Sequence, residues 1–408
     1  MTTRLRFIAL LILAGCSSAD RMASDAARFT LLPSPAGPRS GEPFLASDAT
    51  GAVHMTWLER TGDSTHAVRY ARLDGETWSP PRTVVERRDL FVNWADYPSV
   101  IATPAGQLLV HWLQRSGAGR YAYDVRVAQS ADRGNTWSDG SVLHTDRSAG
   151  EHGFVALWLT PGDSVGAAWL DGRHMTAGEG DHGKGAMSVQ SVSVGSSGTL
   201  GAEQPIDLRA CDCCQVAATI TPSGPVVAYR DRTEDEIRDI AVVRHVDGKW
   251  TSPSIVHADG WHIEACPVNG PALASRGDTV AIAWFTGARD TARVQVAFSV
   301  DGGQRFAAPV RVDGGTPAGR VGITFDENGD AIVSWLERVL PEDAEVRVRR
   351  VSRSGEMGAP FTVSRTKAAR ASGFPRIVRR GDSLLAAWTV PGDSARVMVG
   401  RLALNELR

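Results

Sequence analysis

Cysteines carry the clearest potential for chemistry in this sequence. Three of them stand close together, at Cys211, Cys213 and Cys214, and another follows at Cys266. Thiols can close a disulfide, bind a soft metal ion such as Cu(I) or Zn(II), or form a strained redox-active bond. The C-x-C-C spacing is not a standard zinc pattern, so all three alternatives stay open. If copper or zinc is the cofactor, His262 is the expected additional ligand, with His152 or His182 as alternatives.

Carboxylates and their basic neighbours form a second group of candidates. Two pairs would supply an acid and a base for glycoside hydrolysis: Asp171 with Asp231, and Asp96 with Glu264. Each pair would need a separation of roughly 5 to 9 Å. Arg173 and Arg230 would bind an anionic substrate group, or pair with the carboxylates in structural ion pairs. Other side chains predicted to contact a ligand are Trp94, Tyr97, His152, His174, Trp261, Arg320 and Arg376.

A repeat along the chain must position these groups. An apolar strand, a Gly/Asp turn and a second apolar strand ending in an aromatic residue recur at intervals of 51 to 60 residues. This period is too long for helical solenoids and is typical of propeller blades. The aromatic residues are Trp57, Trp112, Trp169, Tyr229, Trp284, Trp335 and Trp388.

The repeat predicts an all-β chain folded as a single seven-bladed β-propeller. Each unit has room for four antiparallel strands, and no long segment has helical periodicity. After Trp388 only one further strand follows, so the last blade lacks its outer strand. The β-prone run at residues 28–32 is expected to fill that edge and close the ring.

The turn between the third and fourth strands carries a motif. It is complete at residues 130–137 and 299–306, as S-x-D-x-G-x-x-W/F. This pattern resembles the Asp box, or BNR repeat, of sialidase-like propellers. The resemblance implies that fold, with a structural role for Asp132, Gly134, Trp137, Asp301, Gly303 and Phe306.

The resemblance does not extend to sialidase chemistry. Sialidases of this shape have six blades, which is the alternative blade count here, and a tyrosine nucleophile in the last repeats. Every tyrosine in this chain lies at or before Tyr229, so exo-α-sialidase activity is not expected. The CDCC motif at residues 211–214 looks like that of a bacterial subgroup of sialidase-like proteins, which implies no particular activity.

Strand parity assigns the candidates to one side of the ring. In antiparallel blades, the loops between second and third strands and those between blades share a face. Nearly all the candidates fall in these loops, including Asp181 and His182 in a Gly-rich loop at residues 171–186 that is predicted to form a lid. The leading hypothesis is a non-catalytic protein that binds a small molecule, metal ion, glycan or protein on this face. The alternative is a glycoside hydrolase acting there, and a third is an assembly scaffold.

The first residues have the pattern of an export signal. Arg4 and Arg6 precede an apolar run that ends in Leu-Ala-Gly at residues 13–15, followed by Cys16. This ending resembles the lipobox of bacterial lipoproteins, which implies lipidation of Cys16. We therefore expect a signal peptide at residues 1–16, a flexible tether at 17–27 and the propeller at 28–408. The resemblance also implies a bacterial cell envelope, at the outer membrane or in the periplasm.

The charge balance restricts the partners. The sequence has 44 basic and 46 acidic residues, a formal net charge of −2. Such a balance provides no cationic field for nucleic acid or an anionic membrane surface. Nucleic acid is therefore not an expected partner, the lipid is the only expected membrane contact, and a monomer is expected.

Overall fold

Seven β-sheets form a closed ring of blades around an axis. The computed structural model describes Asp25 and residues 28–175 and 185–407. Each sheet has four main antiparallel strands, and two sheets have one additional short strand. The all-β class and the seven-blade count are confirmed, and the six-blade alternative is wrong.

The strands follow the chain blade by blade. The chain enters through β1 (Phe29–Leu32). Blade 1 contains β2 (Ser40–Ser47), β3 (Val53–Arg60), β4 (His66–Asp74), β5 (Thr77–Trp78) and β6 (Arg82–Arg87). Blade 2 contains β7 (Val100–Ala102), β8 (Leu108–Arg115), β9 (Tyr123–Ser130) and β10 (Ser141–Val142). Blade 3 contains β11 (His152–Thr160), β12 (Ser164–Asp171), β13 (Met187–Val194) and β14 (Gln204–Ala210).

The remaining blades repeat the same order. Blade 4 contains β15 (Ala217–Thr221), β16 (Gly224–Arg230), β17 (Ile240–Val246), β18 (Lys249–Trp250) and β19 (Ser254–Ile255). Blade 5 contains β20 (Ala272–Arg276), β21 (Thr279–Thr286), β22 (Arg293–Ser299) and β23 (Val310–Arg311). Blade 6 contains β24 (Thr316–Phe325), β25 (Ala331–Arg338), β26 (Asp343–Val351) and β27 (Phe361–Lys367). Blade 7 contains β28 (Arg376–Arg380), β29 (Ser383–Val390) and β30 (Arg396–Ala403).

Helix is almost absent. Short 3-10 turns occur at Ala288–Asp290, Arg370–Ser372 and Leu404–Glu406. Within residues 28–175 and 185–407, no helix has the length and apolar character needed to cross a bilayer.

The ring closes through its first strand. Strand β1 pairs antiparallel with β30, with Phe29 opposite Leu402, and so becomes the outer strand of blade 7. The Phe29 ring packs 5.8 Å from that of Trp388. The predicted closure by the run at residues 28–32 is confirmed.

The seven repeated aromatic residues lie in the second strand of each blade and are buried. Trp169 donates from its indole nitrogen to Asp171 over 2.8 Å, and Trp335 donates to Glu337 over 2.6 Å. Residues two apart on a strand share a face, which explains this pairing. The core therefore consists of packed sheet faces. This packing holds the end of each second strand in place.

The two complete motif turns hold themselves together by local hydrogen bonds. Asp132 accepts from the Thr136 amide over 2.8 Å, while Ser130 accepts from the Gly134 amide over 2.8 Å. Asp301 and Ser299 make the equivalent bonds to the amides of Arg305 and Gly303. The bonds from Thr136 hold the pKa of Asp132 at about 2. Trp137 meets Tyr70 edge-on, and Phe306 packs on the hydrophobic cluster between blades 4 and 5.

Candidate functional site

The cysteine cluster lies where β15 begins, on the face that carries the loops between blades. The three thiols of Cys211, Cys213 and Cys214 lie within 4.8 Å of one another, and the Sγ atoms of Cys211 and Cys214 are 3.3 Å apart. Cys213 is hydrogen-bonded to Cys266, which precedes β20 in the next blade. Thiols separated by one repeat thus meet at one place. All four are free thiols in this structure, and the disulfide and the metal site stay predictions.

Two buried guanidinium groups surround the cluster. Arg238 donates to Sγ of Cys211 over 3.3 Å, and Arg230 is 1 % exposed. Burial alone would raise the pKa of Cys211, but hydrogen bonds from the neighbouring thiols and the charges of Arg238 and Arg230 lower it well below its usual value. Burial raises the pKa of Cys214. Within the cluster, the charges of Arg238 and Arg230 thus favour the thiolate form at Cys211.

A cavity of about 240 Å³ adjoins the cluster and is lined by charged groups. Arg232 bridges its wall, 2.9 Å from Asp212 and 2.7 Å from Glu236. The other lining residues are Arg238, Glu264, Ala265 and Cys266. Of the predicted site residues, Glu264 and Cys266 therefore share one cavity.

His262 and His174 do not join the thiols. Both side chains are exposed, and the only group with three thiol ligands found within residues 28–175 and 185–407 contains no imidazole. The predicted mixed thiolate and His262 ligand set is therefore not formed. His152 is fully buried and belongs to a separate cluster with His144.

Aromatic and basic side chains fill the axis on this face. Arg376 lies 3.5 Å above the ring centroid of Tyr97, while Trp94 stacks on Phe374 at 5.9 Å. Gln215 links opposite parts of the ring because its amide donates to the carbonyl of Ala95 and accepts from the amide of Gly270. The mouth of the channel is therefore packed with protein.

Three side chains predicted to contact a ligand are buried and engaged by other parts of the protein. Trp261 is only 8 % exposed, with Arg230 4.8 Å above its ring. Arg230 donates to the carbonyls of Asn269 and Phe285, each over 2.7 Å. Arg320 packs on Trp94 and donates to the carbonyl of Gly373 over 2.9 Å. These arginines tie neighbouring blades together through backbone carbonyls.

Asp171 is a structural carboxylate. Its side chain has no exposed surface, and Arg173 binds both of its oxygens over 2.7 Å. Burial alone would raise the pKa of Asp171, but hydrogen bonds from Arg173 and the charge of His152 lower it. The geometry is that of the structural ion pair expected as the alternative, and it does not suit Asp171 as a catalytic acid or base or Arg173 as an anion-binding group.

Other carboxyl groups have the opposite character. Burial raises the pKa of Asp96 to about 7, although the Phe154 amide donates to it over 2.5 Å. Burial also raises the pKa of Asp231 to about 6. Both remain candidates for acid and base chemistry, whereas Glu264 is exposed on the cavity wall.

Glu42, Glu151 and Tyr123 were not predicted as catalytic candidates from the sequence. Burial raises the pKa of both Glu42 and Glu151 to about 7. The hydroxyl of Tyr123 donates to Glu151 over 2.6 Å. Glu42 has a positive φ of 51° in the bulge that opens β2. Glutamate rarely takes that conformation, and the sequence carries no signal for such a bulge.

Two predictions fall outside the described residues. These are the lipidation of Cys16 and the lid loop, whose Asp181 and His182 lie in the interval 176–184.

Comparison with known proteins defines the fold. No family model matches the chain, and no curated protein matches it. A protein of unknown function from Dyadobacter fermentans has 13 % identity and a TM-score of 0.55, covering 92 % of this chain and 98 % of its own. An α-L-arabinanase from Penicillium chrysogenum, complexed with arabinobiose, has 14 % identity and a TM-score of 0.50, covering 93 % and 99 %. The NanB sialidase from Streptococcus pneumoniae has 12 % identity and a TM-score of 0.48, covering 93 % and 71 %. At these identities the likeness is one of fold.

Proposed function

We propose that this propeller binds a soft metal ion, Cu(I) or Zn(II), on the thiols of Cys211, Cys213 and Cys214, with Cys266 as a further donor. The observation that carries the proposal is the position of three thiols within 4.8 Å of one another, next to Cys266 of the following blade. Soft thiolate sulfur selects this class of ion over hard cations.

The surrounding charges support a metal–thiolate complex. Three thiolates around one Cu(I) or Zn(II) leave a net negative charge, which is costly to bury unless it is balanced. Arg238 and Arg230 supply two fixed positive charges beside Cys211. The site is thus built to hold anionic sulfur away from water.

The adjoining cavity gives the site a route to the surface. Cys266 and Arg238 lie in its wall, together with the ion pairs of Arg232. A small polar ligand or the metal donor of a partner protein would approach the thiols through this opening. The protein then acts as a binding protein without chemistry of its own.

We further propose that the propeller is tethered to the bacterial envelope through a lipid on Cys16. In this arrangement the monomer faces the periplasm or the outer membrane surface, has no nucleic-acid partner, and meets metal ions at that location. Labelling with a fatty-acid analogue tests this tether. The proposal predicts that Cys16→Ser abolishes incorporation of the analogue into the protein.

Metal analysis of the full chain tests the main proposal. The protein is purified under reducing, oxygen-free conditions, and its copper and zinc are counted together with its free thiols. The proposal predicts one thiol-bound ion that is lost in a Cys211→Ser, Cys213→Ser double variant and kept when the exposed His262 becomes Gln. Four titratable thiols with no bound or bindable Cu(I) or Zn(II), or a disulfide in the fresh protein, would refute it.

A second candidate function is glycoside hydrolysis on the same face. The observation that favours it is the group of carboxyl side chains with a raised pKa, namely Asp96, Glu151 and Asp231. A protonated acid beside an ionised base is what this reaction requires. Release of a fluorescent glycoside that persists in the double cysteine variant and is lost in Asp231→Asn and Glu151→Gln would establish this function instead.

A further inference from the structure

A cleft between blades 1 and 2 contains N–H groups that have no acceptor. The cavity has a volume of about 310 Å³ and lies apart from the thiols, which precede strands of blades 4 and 5. Its walls include Trp112 of β8, Arg126 of β9 and Trp137 of the motif turn. Nε1 of both tryptophans and Nε of Arg126 are buried, and none of them has a hydrogen-bond partner in the described part of the chain.

Blade 1 shows how such donors are satisfied. The carboxylate of Glu59 accepts from Nε1 of Trp57 over 3.3 Å and from Nε of Arg69 over 3.2 Å. Arg69 stands directly opposite Trp57 in the sheet. In blade 2, Arg126 stands opposite Trp112 in the same way. Blade 2 therefore repeats the indole and the guanidinium that one carboxylate bridges in blade 1.

Blade 5 has the same arrangement with an amide in place of the guanidinium. Gln295 stands opposite Trp284, and both donate to the carboxylate of Asp259, over 2.8 and 2.7 Å. Blade 7 differs: its Trp388 has no acceptor, but Met398, which has neither a charge nor a donor, stands opposite it. An indole beside a second donor is thus paired with a carboxylate in blades 1 and 5.

Blade 2 lacks this carboxylate. Two residues after Trp112 stands Gln114 instead of an acid, and its amide donates to Asp89 over 3.0 Å. Arg126 donates through Nη1 to the carbonyl of Gly140 over 3.0 Å, and it forms no ion pair among the residues that the structure describes. A buried N–H group without an acceptor destabilises the folded protein. Because Trp112, Gln114 and Arg126 all line the cavity, a ligand can supply the missing acceptor.

We propose that this cavity binds a small molecule through its carboxylate, which takes in blade 2 the place that Glu59 has in blade 1. Indole and guanidinium nitrogens only donate hydrogen bonds, so the complementary group is one that only accepts them. An ionised carboxylate meets this requirement, and its charge-assisted bond to Arg126 is stronger than a bond between neutral groups. The two indoles and the guanidinium together hold the ligand.

The remaining wall residues favour a hydroxylated monocarboxylate. Arg87 is already paired with Asp89 over 2.7 Å, and the exposed Asp139 adds a negative charge to the wall. Arg126 thus has one positive charge to offer, which favours a monoanion over a doubly charged phosphate or sulfate. Ser138 provides a polar group for a hydroxyl of the ligand. The volume lies at the lower end of the roughly 300 to 1,000 Å³ typical of small-molecule sites, which suits an acid of monosaccharide size.

Binding of glucuronate by the full chain tests the proposal. Glucuronamide has nearly the same shape without the charge and is the matched control ligand, and acetate is the smallest probe of the carboxylate position. In calorimetric titrations we expect glucuronamide to bind at least roughly 10-fold more weakly than glucuronate, because a charged acceptor is replaced by a neutral one. In nuclear magnetic resonance spectra, acetate and glucuronate should both shift the indole N–H signals of Trp112 and Trp137.

Two substitutions should act on this binding in different ways. Arg126→Gln should weaken glucuronate binding roughly 10- to 100-fold, because one charged hydrogen bond is lost. Gln114→Glu places an acid two residues after Trp112, as in blade 1, and should abolish binding of both probes without loss of stability. Arg82→Gln removes an exposed positive charge that lies outside the cavity, so this control should bind glucuronate as the native chain does.

The two variants also keep the test decisive if one of them does not fold. Equal binding of glucuronate by folded Gln114→Glu and by the native chain would overturn the carboxylate site, and so would indole signals that neither acetate nor glucuronate shifts. Equal affinity for glucuronate and glucuronamide would do the same. Binding should persist in the Cys211→Ser, Cys213→Ser double variant, and its loss there would place the ligand at the thiols instead.

Discussion

Nη1 of Arg238 lies 3.3 Å from Sγ of Cys211, and both side chains are buried. This contact places a full positive charge beside a thiol that water does not reach. Because Arg238 also pairs with Glu236 at 2.7 Å, its guanidinium is held in place for that contact. The thiol at position 211 is therefore the one most readily converted to a thiolate.

Replacing Arg238 by Gln should raise the pKa of the Cys211 thiol, because the nearest stabilising charge is removed. The ultraviolet absorbance of thiolate, followed against pH in the reduced and metal-free protein, measures this change. Arg209→Gln is the control, since Arg209 lies half-exposed and pairs with Glu234. Identical titration curves for the native chain and Arg238→Gln would contradict the assignment.

Stability should depend on the protonation of Asp96. Burial raises the pKa of Asp96 to about 7, whereas the carboxyl in an unfolded chain titrates near pH 4. The folded protein then holds a proton that the unfolded chain has released, so this contribution is complete below pH 4 and is lost as pH rises through about 7. Denaturant unfolding at pH 5 and pH 8 should show a smaller loss of stability in Asp96→Asn than in the native chain.

Some pH dependence will remain in that variant, because Glu42 and Glu151 shift in the same direction. The exposed Asp393 provides the control, and Asp393→Asn should leave the pH profile as it is. An Asp96→Asn profile as steep as the native one would mean that Asp96 is ionised in the folded protein.

Gly134 tests the packing of the motif turn. It has a φ of +86°, and an added Cβ would lie 2.1 Å from Cε1 of Tyr70. Gly134→Ala should cost about 2 to 5 kcal/mol, from backbone strain and overpacking together. Gly106 has nearly the same φ, +84°, with no atom within 4 Å of the added Cβ. Gly106→Ala should therefore cost only about 1 to 2 kcal/mol in the same unfolding experiment, and equal losses would contradict the clash.

Substitution of Asp171 and of Asp231 should affect stability differently, because the first carboxylate is structural and the second is a candidate for catalysis. Asp171→Asn removes the fully buried member of the ion pair with Arg173, which keeps Glu203 as a partner, and breaking such a buried pair costs about 3 to 5 kcal/mol. Asp231→Asn should change stability by no more than about 0.5 kcal/mol at pH 7, as partly exposed substitutions do. Unfolding of the metal-free proteins measures both, and a neutral Asp171→Asn would return Asp171 to the catalytic candidates.

The fold was predictable because every blade repeats the same signals. The buried aromatic of each second strand, such as Trp169 or Trp388, recurs at a propeller period, and the short last unit required a partner for β30. Strand parity also brought Cys266 to the earlier thiols, since one repeat separates them. These predictions needed only the spacing of residues along the chain and not the directions of their side chains.

Side-chain burial was not predictable in the same way. Trp261 lies in a loop of the correct face and Arg230 ends strand β16 there, but both side chains turn inward and pack on each other. The stacked pair of His144 and His152 depends on the packing of a loop against the next blade, which no local spacing encodes. The bulge at Glu42 likewise breaks the strand alternation on which the face assignment depends.

The pairing of β1 with β30 also has a consequence for biosynthesis. A ribosome releases Phe29 long before Leu402, so the register between them forms only after all the intervening strands have been translated. Until then β1 has no pairing partner, and the earlier blades form an incomplete ring. Chaperones that shield an unpaired edge would therefore act on this protein until β30 has been translated and has paired.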